Sequence, residues 1–274
     1  EDGALALRYH NRIAHLPRSA LSISVSVWRA LFLREALSRL FAARASWFWL
    51  LAEPVFHVAY LVFIFTVIRV HTIGGIDTSI WIISGMLAFF MFRRTGSQAT
   101  TAIGANLALF AYRQVKPIDC LLVRVALEGF LMTLNIGILL AGAALFGHSV
   151  MPDDPLAVIE AFVALWLVGV GYGLITSVAV ELVPEMSRVI NLIMRPMYVL
   201  SGVIFPISAI PPPFREVLML NPVAHGLEAV RLGFASHYHA VPEFSMAYLY
   251  GFALVSIFLG LVLQRRFALR LLTQ

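Results

Sequence analysis

The segment FPISAIPPPFREVLMLNPVAHGLEAVRLGF, residues 205–234, separates two long apolar blocks near the C-terminal end of the chain. Its three consecutive prolines, Pro211 to Pro213, stop any helix that enters from the N-terminal side, because proline lacks an amide hydrogen and clashes with the preceding turn. Two short helices are predicted to follow, over residues 214–220 and about 223–234.

The second of these helices has a clear start signal, since Asn221 is a favourable N-cap and Pro222 suits the first helical position. Neither helix approaches the roughly 20 apolar residues that cross a bilayer, and both are too apolar for an ordinary loop in water. Irregular backbone at membrane depth survives only where protein or a water-filled cavity surrounds it. We therefore predict a re-entrant helical hairpin, within a periplasmic region 205–243, that lines or caps a route through the membrane.

The composition of the whole chain agrees with a membrane protein. Hydrophobic residues make up 60% of the 274 residues and charged residues only 13%, a balance that excludes an ordinary soluble domain. The single cysteine, Cys120, excludes an internal disulfide. The net charge of +5 could indicate a nucleic-acid partner, but the arginines cluster beside apolar blocks, which indicates membrane orientation instead.

The N-terminal region, residues 1–45, is predicted to be a cytoplasmic tail followed by an amphipathic helix over about 25–45 that lies on the membrane. The sequence begins at Glu1 rather than methionine, so we expect residues to precede it, and residues 1–24 lack the features of a cleavable signal peptide. A solvated helix packed on a partner is the alternative for 25–45, because Arg29 and Arg44 interrupt its apolar side. That apolar side carries Phe32, Leu33, Leu37, Leu40 and Phe41, and Arg34, Glu35, Ser38 and Arg39 lie on the other.

Residues 46–274 are predicted to form an all-α, six-span transmembrane domain, because their apolar residues occur in long blocks. A polar loop over 95–117 contains a short helix at about 105–112. The predicted spans cover about 47–70, 79–92 and beyond, 121–146, 156–180, 189–204 and 244–263.

An even number of spans places both termini on the same side of the membrane. Seventeen of the 20 lysine and arginine residues fall on that side, and only Arg69, Arg215 and Arg231 fall on the other. The positive-inside rule therefore predicts cytoplasmic termini.

Several polar side chains lie within or beside the predicted spans. Glu53 and His57 are four residues apart in span one and share a helix face. They either face a pathway, or lie near the cytoplasmic end and pair with each other or with the interfacial helix. Arg93 and Arg94 follow span two, where they either receive an anionic substrate or only set orientation. Glu128 and Glu160 lie near span ends, where we expect water to reach them.

The chain contains no GxxxxGK[ST] phosphate loop, no nucleophile motif and no metal-ligand spacing among its histidines. We therefore expect it to be no enzyme by itself and to bind no cofactor or metal. Any energy must come from a separate nucleotide-binding partner, and the cytoplasmic loop 95–117 is the expected contact. Leu107 and Phe110 share one side of its short helix, with Arg113 and Lys116 beside them; resting in the headgroup layer is the alternative for Phe110.

Three stretches carry a resemblance to a known family. LNPVAHGLEAVR (220–231) after FPISAIPP (205–212), together with NLALFAYRQVKPID (106–119), is similar to the permease of type-2 ABC exporters. The region 33–69 narrows this to inner-membrane permeases of bacterial capsular polysaccharide exporters, with LAEPVFH (51–57) standing one residue from that group's LLEP-x-x-H pattern. GGID (74–77) and GMLAFFMFRRTG (85–96) add to the match, although O-antigen exporters share the architecture.

The resemblance implies a multi-pass protein of the bacterial inner membrane that forms a homodimer with two cytoplasmic ATPase subunits, which bind ATP and Mg. It also implies a periplasmic co-polymerase, an outer-membrane channel and a lipid-linked acidic polysaccharide as substrate, with no nucleic acid. Another glycan or small-molecule exporter, or a membrane-embedded enzyme acting on lipid-linked sugars, is the alternative.

The candidate site residues form three groups. The substrate pathway comprises Trp47, Trp49, Glu53, His57, Phe89, Phe90, Arg93, Arg94, Tyr198 and Phe205. The ATPase-coupling group comprises Asn106, Leu107, Phe110, Arg113 and Lys116, and the periplasmic hairpin group comprises Pro211, Asn221, Pro222, Glu228 and Arg231.

Overall fold

The computed structural model of this chain describes residues 20–41, 44–68, 72–112 and 114–272, and this part is mostly helical. Two strands of two residues each pair antiparallel, and two 3₁₀ helices span Gly104–Ala111 and Ile207–Ala209. The strands are β1 Thr72–Ile73 and β2 Ile76–Asp77. The α-helices are α1 Ala20–Phe41, α2 Ser46–Val67, α3 Thr78–Thr100, α4 Pro117–Leu145, α5 Pro155–Leu182, α6 Met186–Leu200, α7 Pro212–Leu218, α8 Pro222–Phe234, α9 Met246–Arg266 and α10 Ala268–Leu272.

Four helices in the described part of the chain are long and apolar enough to cross a membrane: α2, α4, α5 and α9. These correspond to predicted spans one, three, four and six. The helix α6 has 15 residues, a length of about 22 Å, which is short of the roughly 30 Å hydrocarbon core. The helix α3 has 23 residues but is more polar, so the second and fifth spans stay predictions.

The predicted loop over 95–117 is wrong at its N-terminal end, because α3 continues through Arg93 and Arg94 to Thr100. Packing extends the helix. Gly96 lies so close to Tyr172 of α5 that an added Cβ would stand 2.7 Å from the Tyr172 ring, and the Thr100 and Thr176 hydroxyls are 2.6 Å apart. The short helix predicted at 105–112 is present as the 3₁₀ helix Gly104–Ala111.

The helix α5 lies at the centre of the packing, against α3, α8 and α9. Its glycines allow α3 and α9 to approach closely: a Cβ on Gly173 would lie 2.1 Å from Ala99 Cβ in α3, and one on Gly171 would lie 2.1 Å from Ser256 Oγ in α9. Small residues of this kind permit tight helix contacts where water does not drive association. The close packing of α5 against α3 and α9 therefore depends on glycines, which have no side chain to separate the helices.

The helix α1 faces the protein with a side that carries both Leu31 and the charged residue Glu35. Glu35 is buried, whereas Leu33, Leu37 and Phe41 are exposed. This is the reverse of an amphipathic helix on a soluble protein, and it suits a helix whose apolar side faces lipid. Placement at the membrane surface remains a prediction.

Local start signals at the two turns agree with the structure. The Asn221 side chain accepts a hydrogen bond from the Val223 amide at 3.0 Å and α8 begins at Pro222, as expected. Gly74 and Gly75 both have positive φ in the turn between β1 and β2, and Asp77 caps α3 by accepting from the Ser79 amide at 2.9 Å.

Candidate functional site

A cavity of about 230 Å³ lies between α2 and α3, and we call it the Arg93–Arg94 cavity. Its walls combine an acid, an imidazole and two guanidinium groups, so it can hold an anion or a sugar hydroxyl. The structure thus brings together five of the predicted pathway residues from two separate helices. The lining residues are Glu53, Pro54, His57, Phe90, Arg93, Arg94, Ser97 and Gln98.

A second polar cavity of about 350 Å³ lies on the other side of Arg93, between α3 and α6. This α3–α6 cavity shares Arg93 and Ser97 with the first and adds Arg195 and Asn191. We did not predict these α6 residues as pathway residues. A signal existed, because Ser187, Asn191 and Arg195 recur at intervals of four and therefore share one helix face.

Arg93 and Arg94 differ in their surroundings, although they are adjacent. Arg94 Nε donates to Glu128 Oε1 at 2.7 Å, and the Glu128 carboxylate is completely buried. The expectation that water reaches Glu128 is wrong, because α1 and α3 cover it. Arg93 is exposed and lines both cavities, so an anion reaches it more readily than Arg94, whose Nε is held by Glu128.

Glu128 belongs to a charged network that joins α1, α3 and α4. Arg39 Nη1 donates to Glu128 Oε2 at 2.8 Å and Arg39 Nη2 donates to Gln98 Oε1 at 2.8 Å. Glu35 accepts from Arg39 at 3.1 Å and from Arg124 at 2.7 Å. Burial raises the pKa of the Glu35 carboxyl, but the hydrogen bonds and charges of Arg124 and Arg39 outweigh it and lower that pKa overall. Through these contacts the network ties α1 to the α3 wall of the cavity.

The remaining predicted pathway residues do not line these two cavities. Trp47 and Trp49 are exposed at the start of α2, and Phe89 is completely buried. Tyr198 is half-buried and meets Phe89 edge to face, with ring centroids 5.3 Å apart. Phe205 is half-buried in the turn after α6. Phe89 therefore packs inside the protein and lines neither cavity.

The predicted coupling residues have unequal access to a partner. Asn106 is buried, donates to the Ala102 carbonyl at 2.8 Å and accepts from Arg34. Phe110 is half-buried against two internal apolar clusters. Leu107 is 38% exposed and Lys116 is exposed, and Arg113 lies outside the described residues.

Within the hairpin region, Arg231 forms the centre of a buried cluster. Arg231 Cζ lies 3.4 Å from the centroid of the Trp81 ring in α3, and Arg231 Nη2 donates to the carbonyl oxygens of Gly202 at 2.8 Å and Val203 at 3.0 Å. Arg231 Nη1 is 3.7 Å from Glu228 Oε1. These contacts attach α8 to α3 and to the turn that follows α6.

Further contacts close the hairpin region. Tyr238 donates to both Glu228 oxygens at 2.9 Å, and Asn221 donates to Ser201 Oγ at 2.8 Å. Pro211 is exposed before α7. Arg215 pairs with Glu243 at 2.8 Å, and this hydrogen bond holds the pKa of Glu243 below its ordinary value. The membrane depth of this region remains a prediction.

Nothing in the described residues groups three or more histidine, cysteine, aspartate or glutamate side chains so that they could hold a metal ion. That the chain itself binds no metal or cofactor stays a prediction.

Long apolar helices packed around a glycine-rich central helix are the architecture of an α-helical membrane protein. The chain belongs to the ABC-2 type transporter family, whose family model matches residues 26–235.

The relatives of this chain are similar over nearly their whole length. The polysialic acid transport protein KpsM of Escherichia coli is 32% identical over 254 residues, which is 91% of this chain and 96% of KpsM. The capsule polysaccharide export inner-membrane protein CtrC of Neisseria meningitidis serogroup A is 27% identical over 91% of this chain and 94% of its own. The capsule polysaccharide export inner-membrane protein BexB of Haemophilus influenzae is 24% identical over 92% of this chain and 94% of its own.

Proposed function

We propose that this chain is the membrane subunit of an ATP-driven exporter that moves lipid-linked, acidic capsular polysaccharide across the bacterial inner membrane. The observation that carries the proposal is the position of Arg93, exposed at the junction of two polar cavities. A guanidinium group binds phosphate and carboxylate by charge-assisted hydrogen bonds, so this junction suits an anionic glycan or its phosphate-bearing lipid. The relatives' transport of capsule polysaccharide supports the same substrate class.

The complete channel in this proposal needs a second copy of the chain. The helix α6 contributes no buried residue of its own, and α2 exposes Phe56, Tyr60 and Phe63. In a homodimer, these two helices would enclose a pathway together with the polar faces of α3. The helices α3 and α6 would complete six spans, with α1 on the cytoplasmic surface and both termini in the cytoplasm.

ATP hydrolysis belongs to two copies of a cytoplasmic ATPase, which bind ATP and Mg. The 3₁₀ helix Gly104–Ala111 is the proposed contact, because it sits in the predicted cytoplasmic loop and exposes Leu107. A periplasmic co-polymerase and an outer-membrane channel would receive the polymer beyond the hairpin.

The test compares single substitutions at the two adjacent arginines in cells that depend on this exporter. Arg93→Gln should lower surface polysaccharide about tenfold, the loss expected for one charge-assisted hydrogen bond, and polymer should accumulate inside the cell. Arg94→Gln should instead lower the amount of folded permease, because it removes a partner of buried Glu128. The control is Arg266→Gln, an exposed arginine at the end of α9.

Normal surface polysaccharide in Arg93→Gln, with normal permease levels and ATPase co-purification, would overturn the substrate role of Arg93. The chemistry of the polymer that accumulates separates capsule from O-antigen or another glycan. Accumulation of a chemically altered lipid-linked sugar would favour a membrane-embedded enzyme instead.

A further inference from the structure

An apolar groove runs along the side of α4 that faces away from both polar cavities. At one end, a space of about 550 Å³ lies between α1 and α4. It adjoins a space of about 590 Å³ between α4 and α5, and Ala126 lines both. We call the two together the side groove. Its α1 and α4 end is lined by Val25, Trp28, Arg29, Phe32, Leu33, Leu122, Val123 and Ala126.

The position of the side groove separates it from the proposed pathway. Met91 lines the groove and Arg93 lines the polar cavities. Two positions along an α-helix are about 200° apart, so these side chains leave α3 on opposite sides. A substrate at Arg93 therefore does not reach the groove by extending along the same face.

The groove is long enough to hold one hydrocarbon chain. Its α4 wall extends from Leu122 through Ala126 to Leu140, a rise of about 27 Å for 18 residues. One leaflet contributes roughly half of the 30 Å hydrocarbon core. The whole of an acyl chain that enters at the α1 end can therefore lie within the groove.

One end of the otherwise apolar groove carries a positive charge, that of Arg29. Arg29 lines this end, and no carboxylate in the described parts of the chain forms an ion pair with it, whereas Arg39 is paired with Glu35 and Glu128. Beside it, Trp28 Nε1 donates to Asp119 Oδ1 in the first turn of α4 at 2.7 Å. Tryptophan is enriched at the level of the lipid headgroups, so Arg29 stands where a lipid phosphate would lie.

We propose that the side groove binds one anionic phospholipid of the bilayer per chain. Its phosphate rests on Arg29, and an acyl chain lies along α4 past Ala126, between Thr133 and Val163. The bound lipid fills the gap between α1, α4 and α5 and holds α1 beside the charged network at Glu128. A transmembrane helix of a partner protein is a poorer occupant, because it would need to supply an anion at the depth of Arg29.

The proposal is tested by native mass spectrometry of the purified permease with its ATPase. The probes are phosphatidylglycerol and phosphatidylcholine with identical acyl chains. We expect one tightly held lipid per permease chain, with phosphatidylglycerol preferred. Arg29→Gln should weaken phosphatidylglycerol binding about fivefold and remove the preference, since one basic residue near a membrane surface contributes about 1 kcal/mol.

A bulky side chain placed in the groove should displace both phosphatidylglycerol and phosphatidylcholine. Val163 and Ile159 line the wall that α5 contributes and are exposed, so Val163→Trp and Ile159→Trp should each displace both lipids without preventing folding. The controls are Arg188→Gln and Leu254→Trp, which alter an exposed arginine of α6 and an exposed apolar residue of α9. Neither control should change lipid binding.

An unchanged preference for phosphatidylglycerol in Arg29→Gln, or unchanged binding in both tryptophan variants, would refute the site. If the permease purified with a periplasmic co-polymerase carries no phospholipid, and Val163→Trp weakens binding of the co-polymerase instead, a partner helix is the occupant and the proposal is also refuted. None of these readouts depends on export, so the lipid site and the proposed substrate role of Arg93 fail separately.

Discussion

Arg231 is a single charged residue that holds three parts of the chain together. Its side chain is fully buried and touches three parts of the chain: Trp81 in α3, the carbonyl oxygens of Gly202 and Val203, and Glu228 in its own helix. A buried ion pair is weak support for stability by itself, yet removal of one partner leaves an uncompensated charge.

We predict that Arg231→Leu destabilises the protein by about 3–5 kcal/mol, because it leaves Glu228 buried without its cation and the turn carbonyls without a donor. Arg231→Lys should recover only part of that loss, since an ammonium group cannot stack on Trp81 and reach both carbonyls together. The measurement is thermal unfolding in detergent. The matched control is Arg215→Leu, whose partly exposed pair with Glu243 should cost no more than about 1 kcal/mol; equal losses at the two sites would contradict the role of Arg231.

At the scale of elements, the 3₁₀ helix Gly104–Ala111 packs one side against the protein and exposes the other. Asn106 is buried and Phe110 packs on internal clusters, while Leu107 and the neighbouring Tyr112 are exposed. Leu107 and Phe110 were predicted together as the contact with an ATPase, but of these two only Leu107 is exposed, and exposed Tyr112 follows the helix.

We predict that the double variant Leu107→Ala, Tyr112→Ala weakens co-purification of the partner ATPase by roughly thirtyfold, the loss for about 2 kcal/mol of anchor energy. Its thermal unfolding should remain unchanged, because both side chains are exposed. Phe110→Ala should lower the unfolding temperature as well, because it opens a space between two clusters. If neither variant alters ATPase binding, this segment is not the coupling element.

At the scale of the whole molecule, orientation depends on how the basic residues are distributed over the chain. The ordered arrangement of α2, α4, α5 and α9 as apolar helices is compatible with either direction of insertion. The excess of arginine on the side of the termini is what predicts a cytoplasmic location for them.

We predict opposite labelling from the two sides of the membrane at two exposed positions, in a Cys120→Ala background that removes the only native thiol. Ser208→Cys, in the hairpin region, should react with an impermeant thiol reagent added to the periplasm. Gln114→Cys, between α3 and α4, should react only after the cells are opened. Both positions are exposed on the surface of the single chain, and reversed labelling would invert the topology.

The sequence by itself determined the class of protein, four apolar helices and the start of α8 at Asn221 and Pro222. These features depend on local chemistry, namely apolar length, capping and the lack of an amide hydrogen in proline. The gathering of Glu53, His57 and Arg93 at one cavity was also within reach of the sequence, because polar groups within spans tend to face a shared interior.

Only the tertiary structure decided the roles of individual charges and aromatic rings. Glu128 is buried because α1 and α3 cover it, and Arg94 is held by Glu128 while adjacent Arg93 is exposed. Phe89 is buried instead of lining the cavity. The helix α3 extends to Thr100 because Gly169 and Gly173 of α5 allow it to pack closely. These outcomes depend on which helices meet and at what distance, and residues far apart in sequence set those distances.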